Sequence, residues 1–184
     1  MKLLVYGSHE FAEVLADQAR ASGHEIAGFV DDFRSAPHVV GTFEQARARF
    51  SPSDVGFVLA IGYGHLQARW RIQQQLVALG YALPALVHPR AIVSPLARVG
   101  AGSVIMEAAV VSVAASVGEA CVLWPGATLS HHSSLGHNVF LSPRAIVCGI
   151  SQVGPHTFIG AGAVIVDRRQ VPEGAFVKAG SVFS

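Results

Sequence analysis

The stretch VSVAASVGEACVLWPGATLSHHSSLGHNVFLSPRAIVCGISQVG, Val111–Gly154, repeats every six residues. Val111, Val117, Leu123, Leu129, Leu135, Leu141, Val147 and Val153 fall at equal steps. Four places after most of these anchors the residue is small, as at Ala115, Cys121, Ala127, Ser133 and Ala145, with Val139 the exception. A helix repeats near 3.6 residues and a strand at 2, so a period of six belongs to neither alone. Outward from this segment the apolar step holds from Val87 to Phe183 without a miss, and only Arg169 adds a second exception to the small position. This is the hexapeptide pattern of a parallel β-helix.

Each hexad supplies a short strand and a corner, and three hexads close one triangular coil. The anchor points into the prism, and the small residue lets the chain turn. Stacked coils pair as parallel strands about 4.8 Å apart, so about five coils make a stack roughly 25 Å tall. Residues 18 apart lie above one another. Gly100, Gly118, Gly136 and Gly154 mark that beat on one column. Prisms of this type are left-handed, against the usual crossover rule.

Upstream the period changes. KLLVYG (2–7), EIAGFV (25–30) and GFVLAIG (56–62) read as strands. Phe11, Val14, Leu15 and Ala19 share a helical face that Gly23 closes, and HLQARWRIQQQLVALG (65–80) is a second amphipathic helix closed by Gly80. Strand, helix, strand implies a small Rossmann-like parallel sheet. The expected organisation is an α/β domain at 1–80, a connector at 81–86 and the β-helix at 87–184.

Composition narrows the function. Lys+Arg 13 against Asp+Glu 12 leaves a net charge of +1 with no block of one sign, which argues against nucleic acid and anionic membrane as partners. The chain is 51% hydrophobic and only 14% charged, more apolar surface than a small monomer hides, so self-association is expected. Two cysteines, Cys121 and Cys148, form no disulfide framework and point to a reducing cytoplasm. The opening apolar run is too short for a signal-peptide core, and no later run reaches membrane-spanning length.

His131, His132 and His137 lie within seven residues. The 18-residue rule places His131 two residues past anchor Leu129, with Gly149 one coil above it and Asp167 two coils above. His137 follows the next anchor and falls near the next corner, where His156 lies one coil higher. His131 and His137 of one chain therefore cannot share a metal. His137 and His156 are expected in solvent or at a subunit interface. Two histidines five apart, His132 and His137, resemble a ligand pair of the hexapeptide carbonic anhydrases, whose remaining histidine would fall at Leu96; with that ligand absent, no metal site is expected.

A second resemblance covers almost the whole chain. VYGS and FVDD after the first two strands, AIGYGHLQAR before the second helix, and LWPGATLSHHSSLG in the prism resemble the bacterial sugar O-/N-acyltransferases typified by sialic acid O-acetyltransferase and bacillosamine N-acetyltransferase. The resemblance implies a homotrimer that moves an acyl group, acetyl first among the candidates, from acyl-CoA to a sugar or amino-sugar nucleotide in surface polysaccharide or glycoconjugate synthesis. It implies His131 as general base, with His132 where an acidic residue usually follows, and the amide of Gly149 on the thioester oxygen. It puts Ser8, His9, Glu10, Asp31, Asp32, Gly62 and Tyr63 at the acceptor.

Coenzyme A would lie along the His131 column, its phosphates towards Arg168, Arg169 and Lys178 in the later coils. In the first turn His9-Glu10 replaces a glycine pair, and the chain ends FVKAGSVFS where the family commonly has a Gly-x-Pro-Ala segment. A side chain at the first of these places hinders a pyrophosphate, and Glu10 repels it. The competing expectation is a non-catalytic scaffolding member with a degenerate first turn.

Overall fold

The computed structural model describes residues 1–184, which separate into two compact units, Met1–Pro84 and Ala85–Ser184. The first holds a parallel sheet of β1 (Lys2–Tyr6), β2 (Glu25–Val30), β3 (Val39–Gly41) and β4 (Gly56–Leu59), in the order β3-β2-β1-β4. Its helices are α1 (Glu10–Ala21), α2 (Phe43–Arg49) and α3 (Leu66–Ala78), the last entered through a 3-10 turn at Tyr63–His65. The core joins Leu4, Tyr6, Val30, Phe43, Phe57 and Leu59, with the Phe57 and Tyr81 rings edge to face at 5.0 Å. Apolar area removed from water is the main stabilising term here.

Three features of this unit lie outside the sequence reading. The first is the pair β3 and α2. They form because Thr42 and Gln45 make a reciprocal capping box at the start of α2, in a segment whose apolar pattern is too short to carry a period. In α1 the buried stripe is Ala12, Leu15, Ala16, Gln18 and Ala19, which leaves Val14 exposed. In α3 the buried residues include Arg69 and Gln73 beside Leu76, two positions that an apolar stripe does not predict.

The second unit is a parallel β-helix of two-residue strands, from Leu86–Val87 to Val182–Phe183. Three parallel sheets run along it, one of five strands and two of six. Register follows the coil period: Thr128 pairs with Ile146, Ser134 with Gln152, and Phe140 with Phe158. The anchors from Ile105 to Val177 and the small residues between them fill the interior. Buried hydroxyls at small positions stay satisfied by backbone of a neighbouring coil. Ser133 Oγ donates to Cys148 O at 2.8 Å and Ser151 Oγ donates to Val166 O at 2.8 Å.

Most corners turn through one left-handed residue, three places after an anchor. Ala120, Asn138 and His156 occupy one such column at φ 56, 57 and 55, and Ala114, His132, Ile150 and Arg168 another. The glycine column has a different cause. A Cβ on Gly118 would meet Gly136 O at 2.5 Å, and one on Gly136 would meet Pro155 N at 2.7 Å. The coils approach too closely at that corner for any side chain.

Candidate active site

The column of His131 carries the chemistry-bearing geometry. Leu129 is buried and ends a strand, and the chain then turns outward, so both His131 and His132 are exposed at the corner. One coil higher the column is bare at Gly149. A Cβ there would lie 2.6 Å from His131 Nε2 and 2.7 Å from Cε1, so the imidazole rests where a side chain would stand. Gly149 O accepts from Arg168 N at 3.0 Å, while the Gly149 N–H serves no hydrogen bond within the chain.

On its other side His131 Nδ1 lies 3.3 Å from His132 Nδ1. His132 can reach back because its φ of 56 places it in the left-handed corner conformation. His131 thus presents one ring nitrogen to the Gly149 corner and the other to a second imidazole. Cys148, beside Gly149, is no ready nucleophile: burial pushes its thiol up, and the charge of Asp167 adds to that.

His137 belongs elsewhere. Its Nε2 lies 3.2 Å from His156 Nε2, with the rings at right angles, and Asn138 Nδ2 lies 2.8 Å from His156 Nδ1. His156 is buried, and burial followed by the nearby His137 pushes its pKa down, with Glu173 acting in the opposite sense. Of the two places expected for His156, solvent and a subunit interface, the first is corrected: it is buried against His137 and Asn138. The 18-residue rule could have found this cluster, since Asn138 and His156 are one coil apart and His137 adjoins them. No group of three metal-capable side chains forms anywhere in the chain.

In the first unit the structure brings together the ends of β1 and β2. Ser8 Oγ donates to Asp31 Oδ2 at 2.6 Å, and Asp31 Oδ1 accepts from Phe33 N and Arg34 N at 3.0 Å each. Burial alone would raise the Asp31 pKa; the donors outweigh it and hold the carboxyl below the usual range. Asp32 accepts from the Tyr6 hydroxyl and, at 2.8 Å, from Phe43 N, the first residue of α2. Burial and the Asp32 carboxylate push the Tyr6 hydroxyl above its ordinary range. Ser8, Asp31 and Asp32 are therefore engaged within the domain. Among the other expected acceptor residues, His9, Glu10 and Tyr63 are exposed and Gly62 is half-buried. Arg168, Arg169 and Lys178 are exposed on the later coils.

Known proteins share this fold. Residues 2–76 match the PglD N-terminal domain. The acetyltransferase domain of PglB from Neisseria gonorrhoeae is 31% identical, over 100% of this chain and 91% of that one, with a TM-score of 0.90. The same domain in complex with acetyl coenzyme A aligns at 33% identity over 100% and 90%, again at 0.90. Perosamine N-acetyltransferase from Caulobacter crescentus, as a histidine-to-asparagine mutant in complex with CoA and GDP-perosamine, is 26% identical over 97% and 93%, with a TM-score of 0.76. With a PglD-type α/β domain, an uninterrupted hexapeptide prism and full-length identity above thirty per cent to one of these enzymes, the chain belongs to the hexapeptide-repeat sugar N-acetyltransferases.

Proposed function

We propose that this protein transfers an acetyl group from acetyl-CoA to the amino group of a nucleotide-linked amino sugar, in the cytoplasmic assembly of a surface polysaccharide or glycoconjugate. The observation that carries the reading is the seating of His131 against the bare Gly149. Acetyl transfer from a thioester needs a proton acceptor and a donor to the carbonyl oxygen within one reacting distance, and this column offers both. The acetyl-CoA complex of the Neisseria domain and the CoA and GDP-perosamine complex of the Caulobacter enzyme supply the donor and acceptor classes.

The steps run in order along this column. His131 Nε2 takes the proton of the acceptor nitrogen as that nitrogen bonds to the thioester carbon. The Gly149 N–H donates to the carbonyl oxygen while negative charge builds there. The carbon–sulfur bond then breaks, and the proton passes from Nε2 to the leaving sulfur. For Nε2 to accept, the resting proton of His131 must sit on Nδ1, where His132 Nδ1 receives it at 3.3 Å. His132 thus holds the tautomer and the ring angle. Arg168, Arg169 and Lys178 face the phosphates of the donor.

The corner is exposed on one chain, so a neighbouring prism closes the groove in a homotrimer of three 19.3 kDa chains. Cys121 and Cys148, neither in a disulfide, suit the reducing compartment in which acetyl-CoA is present.

The test incubates the full chain with acetyl-CoA and a panel of amino-sugar nucleotides and follows product mass and free thiol together. Acetylated product with equimolar CoA release is expected. A chain that binds acetyl-CoA yet releases no thiol with any acceptor overturns the enzymatic reading in favour of a scaffold.

A further inference from the structure

The corner above His132 holds a residue that its backbone does not favour. Ile150 lies 18 places after His132, and both turn through the left-handed region, at φ 62 and 56. Of the non-glycine residues with positive φ, Ile150 is the only β-branched one. Any Cβ is crowded in that region, and branching adds to the crowding. Burial does not explain the choice, because the side chain is 43% exposed and lies outside the prism core. The same column turns through Ala114 and Arg168, which carry no such branch.

The stacking of this corner fixes what Ile150 stands beside. His132 N donates to Val113 O at 3.1 Å, Ile150 N to His131 O at 3.0 Å and Arg168 N to Gly149 O at 3.0 Å. Successive coils are therefore tied corner to corner, about 4.8 Å apart. Residues in one column and one backbone conformation send their side chains out side by side. The His132 ring thus has the Ala114 methyl on one side and the Ile150 side chain on the other. In the adjoining column His131 leans over the bare Gly149 instead.

We propose that Ile150 is a positioning residue of this site: its side chain closes the space above the His132 imidazole and keeps His132 Nδ1 on His131 Nδ1. That contact, 3.3 Å long, joins two exposed rings, and an exposed side chain changes rotamer readily unless packing restrains it. An aliphatic wall restrains the ring without offering it a competing hydrogen bond. A branched Cβ has few rotamers, which makes the wall stiff. The unfavourable corner conformation is kept because it serves the geometry of the base. This rests on the transferase reading above and adds the residue that holds its histidine pair together.

The test compares wild type, Ile150→Ala, Ile150→Leu, His132→Ala and the double variant of Ile150→Ala with His132→Ala. Ile150→Ala should lower kcat by about tenfold, the loss expected of His132→Ala, and leave both KM values near wild type. Ile150→Leu, which keeps the aliphatic bulk, should restore most of the rate. In the double variant the two losses should not add. Ala114 shows that alanine takes this corner, so Ile150→Ala should keep its urea midpoint and its sedimentation. In the full chain without acetyl-CoA, labelled Ile150 methyls should show Overhauser contacts to the His132 ring. Imidazole nitrogen shifts should place the His131 proton on Nδ1, a preference that Ile150→Ala should weaken. Wild-type turnover in Ile150→Ala, additive losses, a loss of activity that follows a loss of assembly, or absent Overhauser contacts overturns the proposal. The spectra involve no acetyl transfer, so these contacts in a chain that acetylates no acceptor support the positioning and count against the function alone.

Discussion

The imidazole of His131 occupies the space that a side chain at residue 149 would fill, with Nε2 2.6 Å from the position of a Cβ. The proposed base and the proposed oxyanion donor are therefore set by one contact between adjacent coils. Gly149→Ala should displace the ring and lower kcat by roughly tenfold to a hundredfold, the cost of misplacing a positioned proton acceptor. The melting temperature should barely move, because the nearest atoms an added Cβ meets belong to the exposed His131 ring, which can swing away. Gly149→Val should in addition weaken coenzyme A binding. Unchanged turnover and unchanged calorimetric affinity in folded variants would place the reaction elsewhere.

His131→Ala should lower turnover by roughly 10²–10⁴-fold. His132→Ala, which removes only the partner of Nδ1, should cost about tenfold. His137→Ala should leave the chemistry near wild type, since its contact is to His156 on another corner. The wild type and these variants are compared in one assay with a competent acceptor, with and without a chelator. A rate that survives in His131→Ala but collapses in His137→Ala, or on chelation, contradicts the assignment.

Stability should depend on pH through His156. Its folded pKa is pushed down by burial and by His137 against the pull of Glu173, from an ordinary value of 6.5. As pH falls through that value the unfolded chain takes up a proton that the folded chain refuses. The stability present above pH 6.5 is then lost progressively as pH falls towards the folded pKa. His156→Asn, which tolerates the left-handed corner, should flatten this part of the profile. Urea midpoints measured from about pH 8 to about pH 5 test it. His24, also pushed down by burial, contributes equally to both proteins, so their difference isolates His156.

Glycines of the prism should divide into two classes. At Gly136 an added Cβ meets Pro155 N at 2.7 Å, whereas at Gly162 it meets nothing within 4 Å, although φ is 65. Gly136→Ala should force the coils apart and cost about 1–3 kcal/mol, the range for overpacking. Gly162→Asn should cost well under that, since Asn enters the left-handed region readily. Chemical denaturation of both variants decides whether close coil approach or backbone conformation explains the glycine column.

The prism was legible from one dimension because its period is one-dimensional: each coil repeats the same inward anchor, so a count along the chain fixes which residues stack. That rule alone placed Gly149 over His131 and separated His131 from His137. The same rule, applied to Asn138 and His156, reaches the buried cluster that composition concealed, because a histidine in a corner column carries no mark of burial. The first unit resisted a periodic reading. The short β3 and α2 depend on the capping of Thr42 by Gln45 and on Asp32, a residue eleven places before Phe43. Asp31 and Asp32 look alike in sequence, yet one pins a turn and the other a helix start and Tyr6. Only the fold decides such roles, since a carboxylate is assigned by the donors that packing brings to it and not by its neighbours along the chain.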